Sequence, residues 1–157
     1  MRKTPSVSAS TVVAAPAAVV FDIVADARQH DRIDGSGTVG EAIDAPDRLD
    51  LDAEFRTDMR WVVPYRMTNR VVEFEEGRLI AWRHFGVHRW RYELEPVPDK
   101  HGGGTRVTET WDATAYPLIG HLFFGLFRFP QRNLRGIEQT LARLKTAAEA
   151  DARGTTG

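Results

Sequence analysis

Polar and apolar positions alternate through the middle of the chain. Phe55, Thr57, Met59 and Trp61 alternate with Glu54, Arg56, Asp58 and Arg60, the two-residue period of a strand with one buried face. Trp90, Tyr92 and Leu94 alternate in the same way with Arg89, Arg91 and Glu93, and Val107, Glu109 and Trp111 with Thr108, Thr110 and Asp112. Thr68 to Phe74 and Leu79 to Phe85 read as two further strands joined by a turn at Glu75-Glu76-Gly77, and the glycine-rich run from Pro98 to Gly104 is another turn. Ser6 to Ala14 is a β-branched opening strand, and Thr38 to Ala45 is a weaker one, so the pattern predicts seven strands.

The period changes at two places. Pro16 suits the first turn of a helix, where its missing N–H is not needed, and Val20, Phe21 and Val24 follow at helical spacing. Ala27 to Asp34 reads as a second short helix, ended by Ser36-Gly37. Near the C-terminus, Leu134, Ile137, Leu141 and Leu144 form a single apolar stripe, which predicts a long helix over 131–150 opened by Pro130. Runs of strands joined by tight turns, with helices set apart, define an antiparallel α+β class.

Composition narrows the picture. The 157 residues are 42% hydrophobic and 27% charged, with 21 basic and 22 acidic side chains. The size fits one domain, and the near-zero net charge gives no general footing for nucleic acid. The chain has no cysteine, which excludes thiolate chemistry and fits a reducing, cytoplasmic location. No segment has the length and apolarity of a transmembrane helix. Residues 1–150 read as a single domain and 151–157 as a flexible tail.

Four segments resemble the START-like superfamily, the helix-grip proteins that include birch-pollen allergens, polyketide cyclases/dehydrases and lipid transporters (SRPBCC). They are the opening Val12-Val13-Ala14-Ala15-Pro16 with the helix running to Asp26, the hairpin from Val71 to Arg83, Gly103-Gly104-Thr105-Arg106-Val107-Thr108, and the closing helix from Ile137 to Glu149. Where many relatives carry Trp after the second short helix, this chain has Arg32-Ile33-Asp34. The resemblance implies a curved seven-stranded sheet wrapped around the C-terminal helix, two short helices after strand 1, and a ligand cavity between sheet and helix.

Strand parity places the mouth of such a cavity. In an antiparallel meander alternate turns lie at the same end, so turns 62–66, 86–87 and 115–120 cluster. That end is apolar: Tyr65, Phe85, Val87, Tyr116 and Leu118 are the candidate portal. The opposite end carries Asp47, Arg48, Asp50, Glu76 and Asp99. Apolar turns gathered at one end mark a portal or a contact surface. Segment 118–129, weakened as a helix by Gly120 and Gly125, is placed to act as a lid. The large side chains on plausible inner faces are candidate ligand contacts: Phe55, Met59, Trp61, Trp82, Trp90, Tyr92, Trp111, Phe123 and Phe127. Gly136, mid-helix, reads as a close contact with a neighbouring strand or as room for a ligand.

Catalytic chemistry is sparse. Glu109 shares a strand face with Val107 and Trp111. Facing inward it needs a partner, for which Arg60, Arg83 and His84 are the candidates, or a raised pKa. The rarity of unpaired buried acids favours an exposed side chain instead. His84 and His88 bracket a predicted turn and supply at most half of a metal site, with no third ligand at a diagnostic spacing. No metal or cofactor is implied. Arg78, Arg83, Arg89 and Arg91 occur without an intervening acid and are expected to pair with Glu73 and Glu75 on the neighbouring strand. The leading reading is binding or carriage of a small apolar ligand: a lipid, a polyketide or an aromatic metabolite. A cyclase/dehydrase enzyme with Glu109 and His84 as acid–base candidates is the alternative, and a protein-interaction module is a further one. The oligomeric state is left open.

Overall fold

A computed structural model describes residues 6–60, 62–84 and 86–154. Trp61 and Phe85 lie outside the described residues. Seven antiparallel strands run as β1 (Ser6–Val13), β2 (Val39–Asp44), β3 (Glu54–Arg60), β4 (Pro64–Glu75), β5 (Leu79–Arg83), β6 (Arg89–Pro96) and β7 (Thr105–Asp112). Their order in the sheet is β1-β7-β6-β5-β4-β3-β2. Strands 2 to 7 thus form a plain meander, and β1 closes onto the last of them. Helix α1 (Ala17–Val24) and a short second helix, α2 (His30–Ile33), follow β1, while α3 (Leu118–Leu126) and the long α4 (Phe129–Gly154) follow β7.

The alternating segments are strands because one side of each is buried. On β7 the inward Thr105, Val107, Glu109 and Trp111 are all buried, with Arg106 exposed and Thr108, Thr110 and Asp112 half-buried. Three of the four arginines meet acids, some across the strands and some within one strand or its turn. Arg89 pairs with Glu73 and Asp112, Arg91 with Glu73 and Glu93, and Arg78 with Glu75.

Helix α4 has two parts. Ile137, Leu141 and Leu144 are buried in a core shared with Val20, Phe21 and Val24 of α1 and Leu94 and Val107 of the sheet. The segment before Ile137 stands off the sheet. Lys145 Nζ donates to the Val12 carbonyl at 2.8 Å and Ala14 N–H to Glu149 Oε1 at 2.9 Å, which fastens the helix to β1. Residues 151–154, expected in a tail, belong to α4, and Arg32 holds Asp151 through two hydrogen bonds of 3.0 and 2.8 Å. Residues 155–157 lie outside the described residues.

Three other expectations need correcting. Segment 118–129 is helical over Leu118–Leu126 despite its glycines. A Cβ on Gly120 would stand 3.2 Å from Tyr116 Cβ, so the glycine lets that ring pack onto the helix. Strand β4 begins at Pro64, which puts Tyr65 in a strand and not in a turn. Gly136 does not lie tight against a strand: a Cβ there would meet Ser36 Cβ at 3.6 Å, an ordinary contact. Gly136→Ala is therefore expected to stabilise the protein by up to about 1 kcal/mol, from helix propensity alone. In a thermal melt that is a rise of roughly 2–4 °C.

Candidate functional site

Between the sheet and the first turns of α4 lies a hollow of about 630 Å³. Small-molecule sites commonly have volumes of roughly 300–1,000 Å³. Strand register builds its walls. Trp82 of β5 stands opposite Trp90 of β6, which stands opposite Trp111 of β7. Three indoles therefore form one row across the sheet. The pairs Phe55–Asn69, Thr57–Met67 and Met59–Tyr65 continue the wall onto β3 and β4. His30 closes it from α2. Its ring stacks on Trp82 with centroids 4.8 Å apart, and its Nε2 lies 2.9 Å from the Val24 carbonyl. Burial holds this imidazole below its usual pKa, and the neutral ring donates Nε2–H to that carbonyl.

Glu109 faces this hollow and is 3% exposed, so the expectation of an exposed side chain is overturned. Its partner is none of the three sequence candidates; Arg60 and Arg83 are exposed. It stands directly opposite Tyr92 in the β6–β7 register, and the two side chains share a hydrogen bond. Burial drives the Glu109 pKa up to about 8. The Tyr92 hydrogen bond opposes the rise and the nearby Asp34 charge adds to it. Glu109 Oε2 is buried with no hydrogen-bond partner. Leaving such an atom unsatisfied costs about 1–3 kcal/mol, which a bound polar group would recover.

A second polar station lies at the apolar end. The Tyr116 hydroxyl accepts from Val87 N–H at 3.4 Å, which leaves its own proton for His88 Nδ1 at 2.9 Å. With Nδ1 accepting, a neutral His88 carries its proton on Nε2 and donates it to His84 Nε2, also 2.9 Å away. Burial, then the neighbouring His88, lowers the His84 pKa to about 4, and burial lowers His88 too. Both rings are thus neutral at pH 7. Among the described residues no cluster of three or more His, Cys, Asp and Glu is placed to hold a metal ion.

Of the candidate ligand contacts, Phe55, Met59, Trp82, Trp90, Tyr92 and Trp111 line the hollow. Phe123 and Phe127 do not; they are 52% and 54% exposed on the outer side of α3. Phe124 and Phe129 take their place. Trp61 lies outside the described residues. Of the candidate portal, Tyr65 and Tyr116 line the hollow, whereas Val87 and Leu118 are exposed outside it, and Phe85 lies outside the described residues. His30, Asn69 and Thr140, which the sequence reading passed over, also reach the wall. Inward parity on β4, from Met67 through Asn69 to Val71, carried the signal for Asn69.

Known proteins share this architecture. The Polyketide_cyc-like protein Cgl2372 from Corynebacterium glutamicum superposes with a TM-score of 0.62 at 19% identity, covering 96% of this chain and 95% of that one. The AHSA1-like protein from Aeromonas hydrophila gives 0.66 at 16% identity, covering 93% of each. In sequence, the chain is 45% identical over 141 residues to the uncharacterized protein Rv0088 of Mycobacterium tuberculosis, a match that spans 88% of this chain and 62% of that protein. The family model described as polyketide cyclase / dehydrase and lipid transport matches residues 4–149, and the chain belongs to that family.

Proposed function

We propose that the hollow binds a small, mainly apolar molecule bearing one neutral hydrogen-bonding group, and that the protein carries or presents it. Lipids, polyketides and aromatic metabolites meet that description. The observation that carries this reading is a hollow of ligand size, walled by aromatic rings, with one unpartnered carboxyl oxygen facing into it. The rings supply broad apolar contact. A protonated Glu109 serves a ligand hydroxyl or carbonyl and repels no neutral molecule. Family membership supports a small-molecule ligand, and the lack of cysteine supports a cytoplasmic place of action.

Native mass spectrometry of the purified protein tests this directly. A co-purifying small molecule, displaced by a fluorescent naphthalene probe, is the expected result. Met59→Trp, which pushes a larger ring into the hollow, should weaken probe binding at least about tenfold, a change of 1.4 kcal/mol. An empty protein that binds no apolar probe, or a variant that binds it as the native protein does, would remove the reading.

One observation favours an acid–base enzyme as the second reading. A protonated carboxyl and a neutral imidazole pair line the same hollow. In a dehydration, His84, once its Nε2 is released by His88, would take the proton from a carbon beside a carbonyl, and Glu109 would give its proton to the departing hydroxyl, which leaves as water. Glu109→Gln would then retain the probe and lose turnover, whereas a carrier would lose nothing but part of its ligand contact.

A further inference from the structure

The hollow explains the inner side of α3, where Phe124 sits, but not the outer side. Ile119, Leu122 and Leu126 point to solvent at 78%, 74% and 77% exposure, with Leu118, Phe123 and Phe127 beside them. Val62, 84% exposed, and Val63 form the tip of the β3–β4 turn. Met59 and Tyr65, which flank that turn, line the same hollow as Phe124 and Phe129, so the valines and α3 share one end of the molecule. Exposed apolar groups in such number are not the scatter expected of an ordinary surface.

Charge distinguishes what could cover them. Between Asp112 and Glu138 the chain has no acid, and Arg128, just past the end of α3, is exposed. Pairing α3 with itself in a second copy would bring two Arg128 guanidiniums together with no carboxylate on the helix to meet them. Apart from His121, the helix has no polar side chain, whereas a protein interface of useful size carries about one hydrogen bond per 100–200 Å². With 9 residues the helix is far too short to span a bilayer, and no helix among the described residues is long and apolar enough to do so. A short apolar helix followed by an exposed arginine has the chemistry of an interfacial helix, whose apolar side sits below the headgroups and whose cation meets anionic lipid.

We infer that α3 and the tip of the β3–β4 turn dock on the surface of an anionic lipid bilayer. The inference goes beyond the ligand-binding reading and does not depend on it. The geometry adds a reason for the placement: the helix that touches the bilayer on one side walls the hollow on the other.

Sedimentation of the purified protein with phosphatidylcholine vesicles, with and without phosphatidylserine, tests this with no ligand present. Binding to the serine-containing vesicles is expected, weakening as salt is raised. Leu122→Asp with Leu126→Asp should reduce the bound fraction at least about tenfold. These side chains are exposed, so urea melts should be unchanged. Arg128→Glu should also weaken binding to the anionic vesicles, and this variant carries the test if the leucine variant melts early. Failure of the native protein to sediment with either vesicle overturns the inference, as does binding that both variants retain. A native dimer abolished by Leu122→Asp, with no vesicle binding, would assign the face to a second copy instead. Probe binding in the hollow is measured separately, so neither result decides the other.

Discussion

Glu109→Gln is expected to abolish the loss of folding stability, up to about 2 kcal/mol, that this one carboxyl imposes on the native protein between pH 6.5 and 8. In the unfolded chain this carboxyl ionises near 4.5, and in the folded chain near 8. Between those values the folded state holds a proton that the unfolded state has released. Stability therefore falls as pH rises through the window, by up to about 1.4 kcal/mol per pH unit. The buried histidines act in the opposite sense. His30, His84 and His88 are all held below their ordinary value of 6.5, so the unfolded chain takes up protons that the folded one refuses, and stability falls as pH drops below 6.5. In the unfolded chain the three imidazoles are still half protonated at pH 6.5, so they oppose the carboxyl until about pH 7.5. The native protein should be most stable at about pH 7, and the Gln variant should go on gaining stability to about pH 7.5 before it levels. Gln retains a carbonyl for the Tyr92 hydroxyl, so the variant should fold. Urea melts across pH 5–9 decide the matter. A difference between native and variant stability that is the same at pH 6.5 and 8, the imidazoles cancelling in it, would mean that the folded protein does not hold this carboxyl protonated.

Gly35→Ala should cost about 3 kcal/mol, at the upper end for overpacking. The segment after α2 crosses α4 at this residue. Gly35 N–H donates to Thr140 Oγ1 at 2.9 Å, and a Cβ would lie 2.3 Å from Thr140 N and 2.5 Å from Gln139 Cβ. Backbone on both sides must separate to admit one methyl. Because Gly35, Gln139 and Thr140 all line the hollow, the same change should alter probe affinity. A melt shifted down by roughly 6–12 °C is expected for a domain of this size. An unshifted melt would show that loop and helix are not packed this closely. The contrast with Gly136→Ala is a sharp one. Two glycines meet at one crossing, and the close approach needs only the one in the loop.

The sequence pattern made most of the sheet legible, because each strand has one wet and one dry face. Alternation placed Phe55, Trp90, Tyr92 and Trp111 on one side, and the structure puts all four on the hollow. The bracketing of a turn by His84 and His88 likewise marked two rings that the hairpin brings together. The environment of Glu109 was not legible. Its partner Tyr92 depends on cross-strand register, and the glycine-rich turn at 98–104 that sets the register admits several lengths. Helix α3 was misread for another reason. Apart from His121 and Arg128, 118–129 is apolar on all sides, so periodicity has no polar face with which to orient it and does not separate Phe123 and Phe127 from Phe124 and Phe129, which point inward. Gly35 carried no signal at all, since it lies in a loop whose crossing with α4 exists only in three dimensions.

The position of β1 at the edge of the sheet, bonded to β7 alone, has a consequence for biosynthesis. Its register runs from Ser6 opposite Asp112 to Val13 opposite Thr105, so the first strand made has no sheet partner until the last strand leaves the ribosome. At synthesis rates of about 5–20 residues per second, that wait lasts several seconds or more. During it the β-branched segment around Val7 to Val13 is an unpaired edge, of the kind that recruits other chains. The later strands form hairpins with their immediate neighbours and need no such delay. Folding in the cell should therefore end with β1 and α4 arriving together, locked by Lys145 and Glu149. Nascent chains stalled before Thr105 would be the species that chaperones hold.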